Sequence, residues 1–310
     1  MKKTTPGHKI PKASSDILTV SETLENLISQ LGDGVFTLVN FFATDPEFME
    51  SIGLGLCEKY PEAIVIGCTA AGVIDTEGYN DQGVSAFALP SNKFRAINDL
   101  LTPIDDFDLI TWRDKTRTLI TTLSSQCQNF SSDKTFAFLL VDGTSQAEET
   151  VLSAIYPELG DIPLFGGSAG DDLQFAETKI FCNGQTVNNG AVLILVNTDC
   201  PFKVFRTQHF KETDRKMVIT DADPQSRTVH EINAAPATRE YARLIGVPFQ
   251  ELSALTFAKH PVMVRVGGAY YARSIQRLEG CDGLKFFCAI DKGLVLTLAE
   301  GKDMTSNLIE

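Results

Sequence analysis

VFTLVNFFATDPEFMESIGLGLCEKYPEAIVIGCTAAG, residues 35–72, reads as a strand, a helix, a second strand and a turn of tiny residues. Apolar residues run almost unbroken from Val35 to Phe42, as in a strand covered on both faces. Asp45 then stands as a helix cap with Pro46 at the first helical position. Phe48, Met49, Ile52 and Leu56 follow at helical spacing. A short apolar strand from Ile64 runs into Gly67-Cys68-Thr69-Ala70-Ala71-Gly72. The same order returns downstream: TFAFLLVD at 135–142 opens it and IPLFGGSAG at 162–170 closes it. QGVSAFAL (82–89) and NNGAVLIL (188–195) then add a hairpin strand to each, and Phe94-Arg95 and Phe205-Arg206 a last one. Equivalent residues lie 100 apart at the opening strand, 99 at the glycine turn, and 107 and 111 in the later strands. A duplication that gained loop residues looks like this. Two copies, 35–101 and 135–210, are too few for a solenoid. They predict a pseudo-symmetric domain whose two small-residue turns face a shared cleft.

Working outward, residues 1–16 read as a disordered tail. A helix follows with Ser21 as its expected N-cap, Leu24, Leu27, Ile28 and Leu31 on one face, and Gly32 as its stop. An amphipathic helix over about 106–127 joins the copies through Trp112, Leu119, Ile120 and Leu123. Ser145-x-x-Glu148 predicts a capping box at the second copy's helix. Beyond residue 212 the texture changes. Asp221, Asp223-Pro224 and Ser226 give turn signals, and a helix runs from Pro236 to Ile245 against Gly246. Strands are expected at 262–266, 270–277, 284–290 and 294–298, joined by glycine turns as in an antiparallel meander. The expected fold class is α+β, with a duplicated domain over 17–212 and a β-rich antiparallel domain over 213–310.

A chain of 310 residues, 43% of them hydrophobic, can bury a large core. A net charge of −13 with no basic stripe argues against nucleic acid and against anionic membranes. MKKTTPGHKIPKASSD has lysines but no apolar run behind them, and no run of about 18 apolar residues occurs anywhere. Seven cysteines without CxxC or paired metal spacing read as reduced thiols. These features predict a cytoplasmic protein with no membrane insertion.

Gly166-Gly167-Ser168-Ala169-Gly170-Asp171 is the densest small-residue run. Glycines expose backbone N–H groups and permit positive φ, which suits an anion or a carboxylate ligand, and equally suits a tight turn. No Gly-Lys-Ser/Thr follows, so it is not a P-loop. The matching run at Gly67, Cys68 and Thr69 places hydroxyls of Thr69 and Ser168 at equivalent positions. Gly166 to Gly170 also satisfies GxSxG, so a hydrolase built on Ser168 is the rival of another class, although the chain after Asp171 leads to a strand rather than the required helix. Arg265, within VMVRV, points opposite to its valine neighbours and suits a bidentate carboxylate clamp or an exposed strand face. Of the four histidines, His260, held by Pro261 and near Phe257 and Val262, ranks first as an iron ligand. His209, beside Phe210, ranks second, ahead of His230 in its polar context.

IPLFGGSAGDD, IVIGCTAAGVI, VHEINAAPATREYARLIG, HPVMVR and the strand pair ending at Glu300-Gly301 resemble the FIST sensory domain, over about residues 20–301 and both its N-terminal and C-terminal parts. The resemblance implies a non-enzymatic small-ligand sensor of bacterial signal transduction, with amino acids as ligands. It implies a partner such as a histidine kinase or a cyclic-dinucleotide enzyme. One branch of the family binds haem and reports nitric oxide, which would make haem the cofactor and a diatomic gas the ligand. Family members usually continue past the Glu-Gly strand, so the expectation is either a shortened member or a C-terminal part that lacks its last sheet elements.

Overall fold

A computed structural model describes residues 10–16, 19–106, 108–171 and 177–302. Contacts divide the chain into two units, Met1–Val204 and Phe205–Glu310, so the boundary falls before the expected residue 212.

The first unit begins with β1 (Lys12–Ser15), α1 (Val20–Leu31), β2 (Phe36–Ala43), α2 (Pro46–Lys59), β3 (Ile64–Thr69), the small hairpin β4 (Val73–Ile74) and β5 (Tyr79–Asn80), and β6 (Val84–Pro90). The sequence of elements then recurs as β7 (Phe94–Leu101), α3 (Leu109–Gln126), β8 (Thr135–Val141), α4 (Glu148–Leu159), β9 (Leu164–Ser168), the hairpin β10 (Ile180–Cys182) and β11 (Gln185–Val187), and β12 (Ala191–Thr198). The duplication is therefore real in strand order, β1-β6-β2-β3 against β7-β12-β8-β9. In each, the central pair, β2 with β3 and β8 with β9, is parallel, as a helical crossover requires. Phe41 lies opposite Gly67 and Leu139 opposite Gly166, so the two glycine turns are equivalent in register as well as in spacing.

The frame of the repeat differs from the sequence reading. Phe94-Arg95 opens the second copy on β7, the edge partner of β12, and residues 199–209 form no strand. Arg206 is thus no counterpart of Arg95; a Phe-Arg dipeptide alone carries no register. Residues 12–15, expected in a disordered tail, pair with β6 as β1, and residues 1–9 lie outside the described residues.

The two sheets face each other through Leu38, Ile66 and Cys68 on one side and Phe138, Leu140 and Ile194 on the other. Helices α1 and α2 cover the far face of the first sheet, with Leu27 and Leu56 against Val39 and Phe41. Helices α3 and α4 cover the second, with Leu123 and Ile155 against Leu139 and Leu193. The result is four layers, and each fully buried side chain of this size contributes about 1.5–3 kcal/mol. Local signals set the helix ends. Thr19, not Ser21, caps α1 through a capping box with Glu22, and Asp45 caps α2 as expected. The predicted box at Ser145 does not form: α4 starts at Glu148 itself, and the Ser145 hydroxyl donates to the Asp142 carbonyl.

The hairpin β10–β11 does not stay with its own copy. It joins the first sheet, with β10 antiparallel to β3 and Phe181 opposite Gly67. Phe181 is fully buried between β3 and α2, edge-on to Phe41. A Cβ on Gly53 of α2 would stand 2.5 Å from its ring, so glycine there makes the room.

The second unit holds β13 (Phe210–Asp223), β14 (Thr228–Ile232), β15 (Ala235–Pro236), α5 (Ala237–Ile245), α6 (Ala254–Lys259), β16 (Val262–Val266), β17 (Ala269–Arg273), β18 (Ile275–Glu279), β19 (Gly283–Phe286) and β20 (Val295–Gly301). Their order, β17-β16-β20-β13-β14-β19-β18 with β15 on β14, is not the expected meander, because the long strand β13 inserts at its centre. The core gathers around Tyr241.

Phe181→Ala should lower the stability of the first unit by about 3–5 kcal/mol, since a buried aromatic leaves a cavity between two elements. Urea unfolding followed by Trp112 fluorescence measures this, and an unchanged midpoint contradicts it.

Candidate functional site

The two glycine turns meet. The Gly170 N–H donates to the Thr69 carbonyl at 3.1 Å, and a Cβ on Gly170 would approach the Ala71 nitrogen to 3.3 Å. The contact is close but closed. Thr69 is buried, and its hydroxyl accepts from the Lys179 N–H at 3.1 Å. Cys68 faces the inter-sheet core, where burial pushes its thiol up to about 12. Gly67 carries Phe41 against its bare Cα. So Gly67, Cys68 and Thr69, expected to line a shared cleft, are structural, and Thr69 and Ser168 do not converge on one space.

Open space lies instead on the far side of the second turn. A groove of about 350 Å³ runs between α4 and β9. Its floor is Leu139 and Leu164, its walls are Leu152 and Tyr156, and Gly166 and Ser168 with Glu148 form its polar end. The Ser168 hydroxyl donates to the Glu148 carboxylate at 3.2 Å. The residues that line the groove include no histidine, so it does not hold the serine–histidine pair of a hydrolase.

The strand beside the groove is an edge. Ala169 donates to the Val141 carbonyl and Pro163 accepts from Ala137, so the odd-numbered residues of β9 bond inward to β8. Leu164, Gly166 and Ser168 then direct their backbone groups outward, and among the described residues no strand takes them. In the first copy the equivalent groups are taken: Thr69 N–H donates to Lys179 and Val65 N–H to the Asn183 side chain. Helix α4 matches. Ile155 and Leu159 are buried like Ile52 and Leu56, which places Leu152 at the position of Met49 and Tyr156 at that of Gly53. Met49 is 0% exposed beneath its covering layer, whereas Leu152 is 38% and Tyr156 63% exposed. The groove is therefore the open twin of the one that Phe181 fills.

Residues 37–235, more than half of the chain, match the family model described as the FIST N domain. The chain belongs to the FIST family. FIST is a sensory domain family of signal transduction. No curated protein matches the chain. No helix among the described residues is long and apolar enough to cross a membrane.

The remaining predicted site residues lie elsewhere. Asp171 accepts from the Glu177 N–H at 3.0 Å. Arg265 is exposed on β16, its guanidinium 5.9 Å from the Tyr270 ring centre. His260 ends α6, and its carbonyl accepts from the Tyr241 hydroxyl at 2.6 Å. Phe257 and Val262, expected to cover a porphyrin there, are buried in the second unit's core, so the residues around His260 do not fit a haem face. The His209 ring lies tilted against that of Phe210, ring centres 4.0 Å apart. Among the described residues no cluster of three or more His, Cys, Asp or Glu could hold a metal ion. Leu152, Tyr156 and Glu148 were missed in the sequence. The signal for the first two, apolar residues four apart on α4, is shared by any core helix.

The glycines of the turn separate. A Cβ on Gly166 would run into the Leu139 carbonyl oxygen, whereas one on Gly167 meets nothing within 4 Å. Gly166→Ala should cost about 1–3 kcal/mol by overpacking, and Gly167→Ala under about 0.5 kcal/mol. Thermal unfolding of the pair checks this; equal losses contradict it.

Proposed function

We infer that this FIST protein is a cytosolic small-ligand sensor that holds its ligand in the α4–β9 groove and reports through a separate partner such as a histidine kinase. The observation that carries the reading is the groove's openness where its duplicate is filled by Phe181. Duplication built two equivalent grooves, and one is used for folding while the other is left to bind. An amino acid suits the open one. Its side chain replaces the ring that Phe181 supplies in the twin, burying apolar area against Leu139, Leu152 and Leu164. Its ammonium meets the Glu148 carboxylate, and its carboxylate meets the outward N–H groups of Gly166 and Ser168. The reading does not pass through haem, since the surroundings of His260 do not fit one, nor through hydrolysis, since no histidine lines the groove beside Ser168.

Calorimetric titration with leucine, isoleucine and phenylalanine, one at a time, tests it. At least one should bind with one site per chain. Leu152→Arg, on the exposed wall, should weaken that binding roughly tenfold or more, the equivalent of 1.4 kcal/mol. Absence of binding by all three, or binding indifferent to Leu152→Arg, contradicts the reading.

A further inference from the structure

We propose that the outward edge of β9, with the groove beside it, docks an extended segment of the signalling partner. The segment would run antiparallel to β9, carrying an aromatic residue opposite Gly166 and a basic residue two positions before it. The proposal rests on the sensor reading and names the kind of partner that the same groove takes.

The first copy supplies the template. There β10 runs antiparallel along β3, and the aromatic Phe181 sits opposite Gly67, the register equivalent of Gly166. Two residues before it, the Lys179 ammonium approaches the carbonyl of Pro46 at 3.5 Å, at the first residue of α2. In the open groove, α4 begins with Glu148 and Glu149, the counterparts of Asp45 and Pro46 in the register that sets Ile155 on Ile52. Carboxylates thus stand where a docked strand would present its cation. An added strand gains main-chain hydrogen bonds from the edge and selects its side chains by pocket and charge. The edge offers the outward groups of Leu164, Gly166 and Ser168, the pocket the apolar walls of the groove, and Glu148 the charge.

Two occupants from this chain fit less well. The hairpin β4–β5 is the register counterpart of β10–β11: Val73 pairs with Asn80 as Ile180 pairs with Val187. Only residues 70–72 join β4 to β3, whereas 169–179 join β10 to β9, so the short link keeps β4 near the end of β3. From a second copy, β4 would bring Ile74 to the groove but Gly72 to Glu148, with no cation. The β9 edge of a second copy fails too, since antiparallel pairing about Gly166 sets glycine against glycine and leaves the groove empty.

One consequence is regulatory. A ligand that fills the groove removes the place of the partner's aromatic residue, so ligand binding releases the partner segment.

The probe is a fluorescein-labelled peptide copying residues 178–188, with serine in place of Cys182, titrated with the full chain and read by anisotropy. Saturable binding is expected, about tenfold or more weaker for the Phe181→Ala peptide and for the Leu152→Arg protein. Glu148→Lys should weaken the parent peptide and restore binding of the Lys179→Glu peptide, a charge exchange that a general loss of folding cannot mimic. Absence of peptide binding, or binding unmoved by these changes, overturns the proposal. So does a concentration-dependent dimer, seen by sedimentation, that Leu152→Arg abolishes while the peptide stays unbound, since the groove is then a contact between copies. If leucine, isoleucine or phenylalanine still binds by calorimetry in any of these cases, the sensor reading stands and only the docking is wrong.

Discussion

The β10–β11 hairpin leaves the copy that encodes it and completes the sheet of the other, and the first unit depends on that exchange. Phe181 fills the space between β3 and α2, Gly53 gives it room, and Asn183 satisfies the Val65 N–H from the same hairpin. The contact between Gly170 and Thr69 marks where the chain passes from one sheet to the other. Through this crossing the two copies share one inter-sheet core and cannot behave as separate domains. Other ties run between the sheets, such as the Ala96 N–H to Thr37 Oγ1 at 3.2 Å, or within a layer, such as Arg113 and Arg117 of α3 reaching Glu158 of α4 at 2.5 and 2.6 Å.

The exchange is one-sided, and function follows from that. Had both hairpins crossed, both sheet edges would be paired and both helix–strand grooves filled. The link after β3 is short and the link after β9 is long, so only one crossing occurs. The second copy keeps an edge that no strand among the described residues pairs, exposed glycines and two exposed apolar residues on α4, all features that a protein covers unless they bind something. The functional asymmetry of this FIST domain thus traces to a difference in loop length between duplicated halves, with no change of fold.

Much of this was legible in the sequence. The offset of 99 residues marks the glycine turns and that of 107 the strands β6 and β12, and the register confirms both equivalences. Capping by Asp45, the stop at Gly32, the helix at 237–245 and the strand at 262–266 follow from local rules that tertiary context did not override. What was not legible is non-local. Nothing in Ile180-Phe181-Cys182 says that it pairs with the other copy, so the first glycine turn read as a ligand surface when it is an interior strand. Nor does edge pairing show in a short polar stretch: Lys12–Ser15 became a strand only because β6 offers it an edge. The candidate site was half read, since Gly166, Gly167 and Ser168 carry a visible signature and the α4 wall does not.

The central claim is that equivalent edges differ, with β3 covered and β9 open. Amide hydrogen exchange resolved at single residues tests it most directly. The outward N–H groups of Gly166 and Ser168 should exchange rapidly in the free protein, while those of Val65 and Thr69 are protected by the hairpin. Equal protection at the two edges would contradict it.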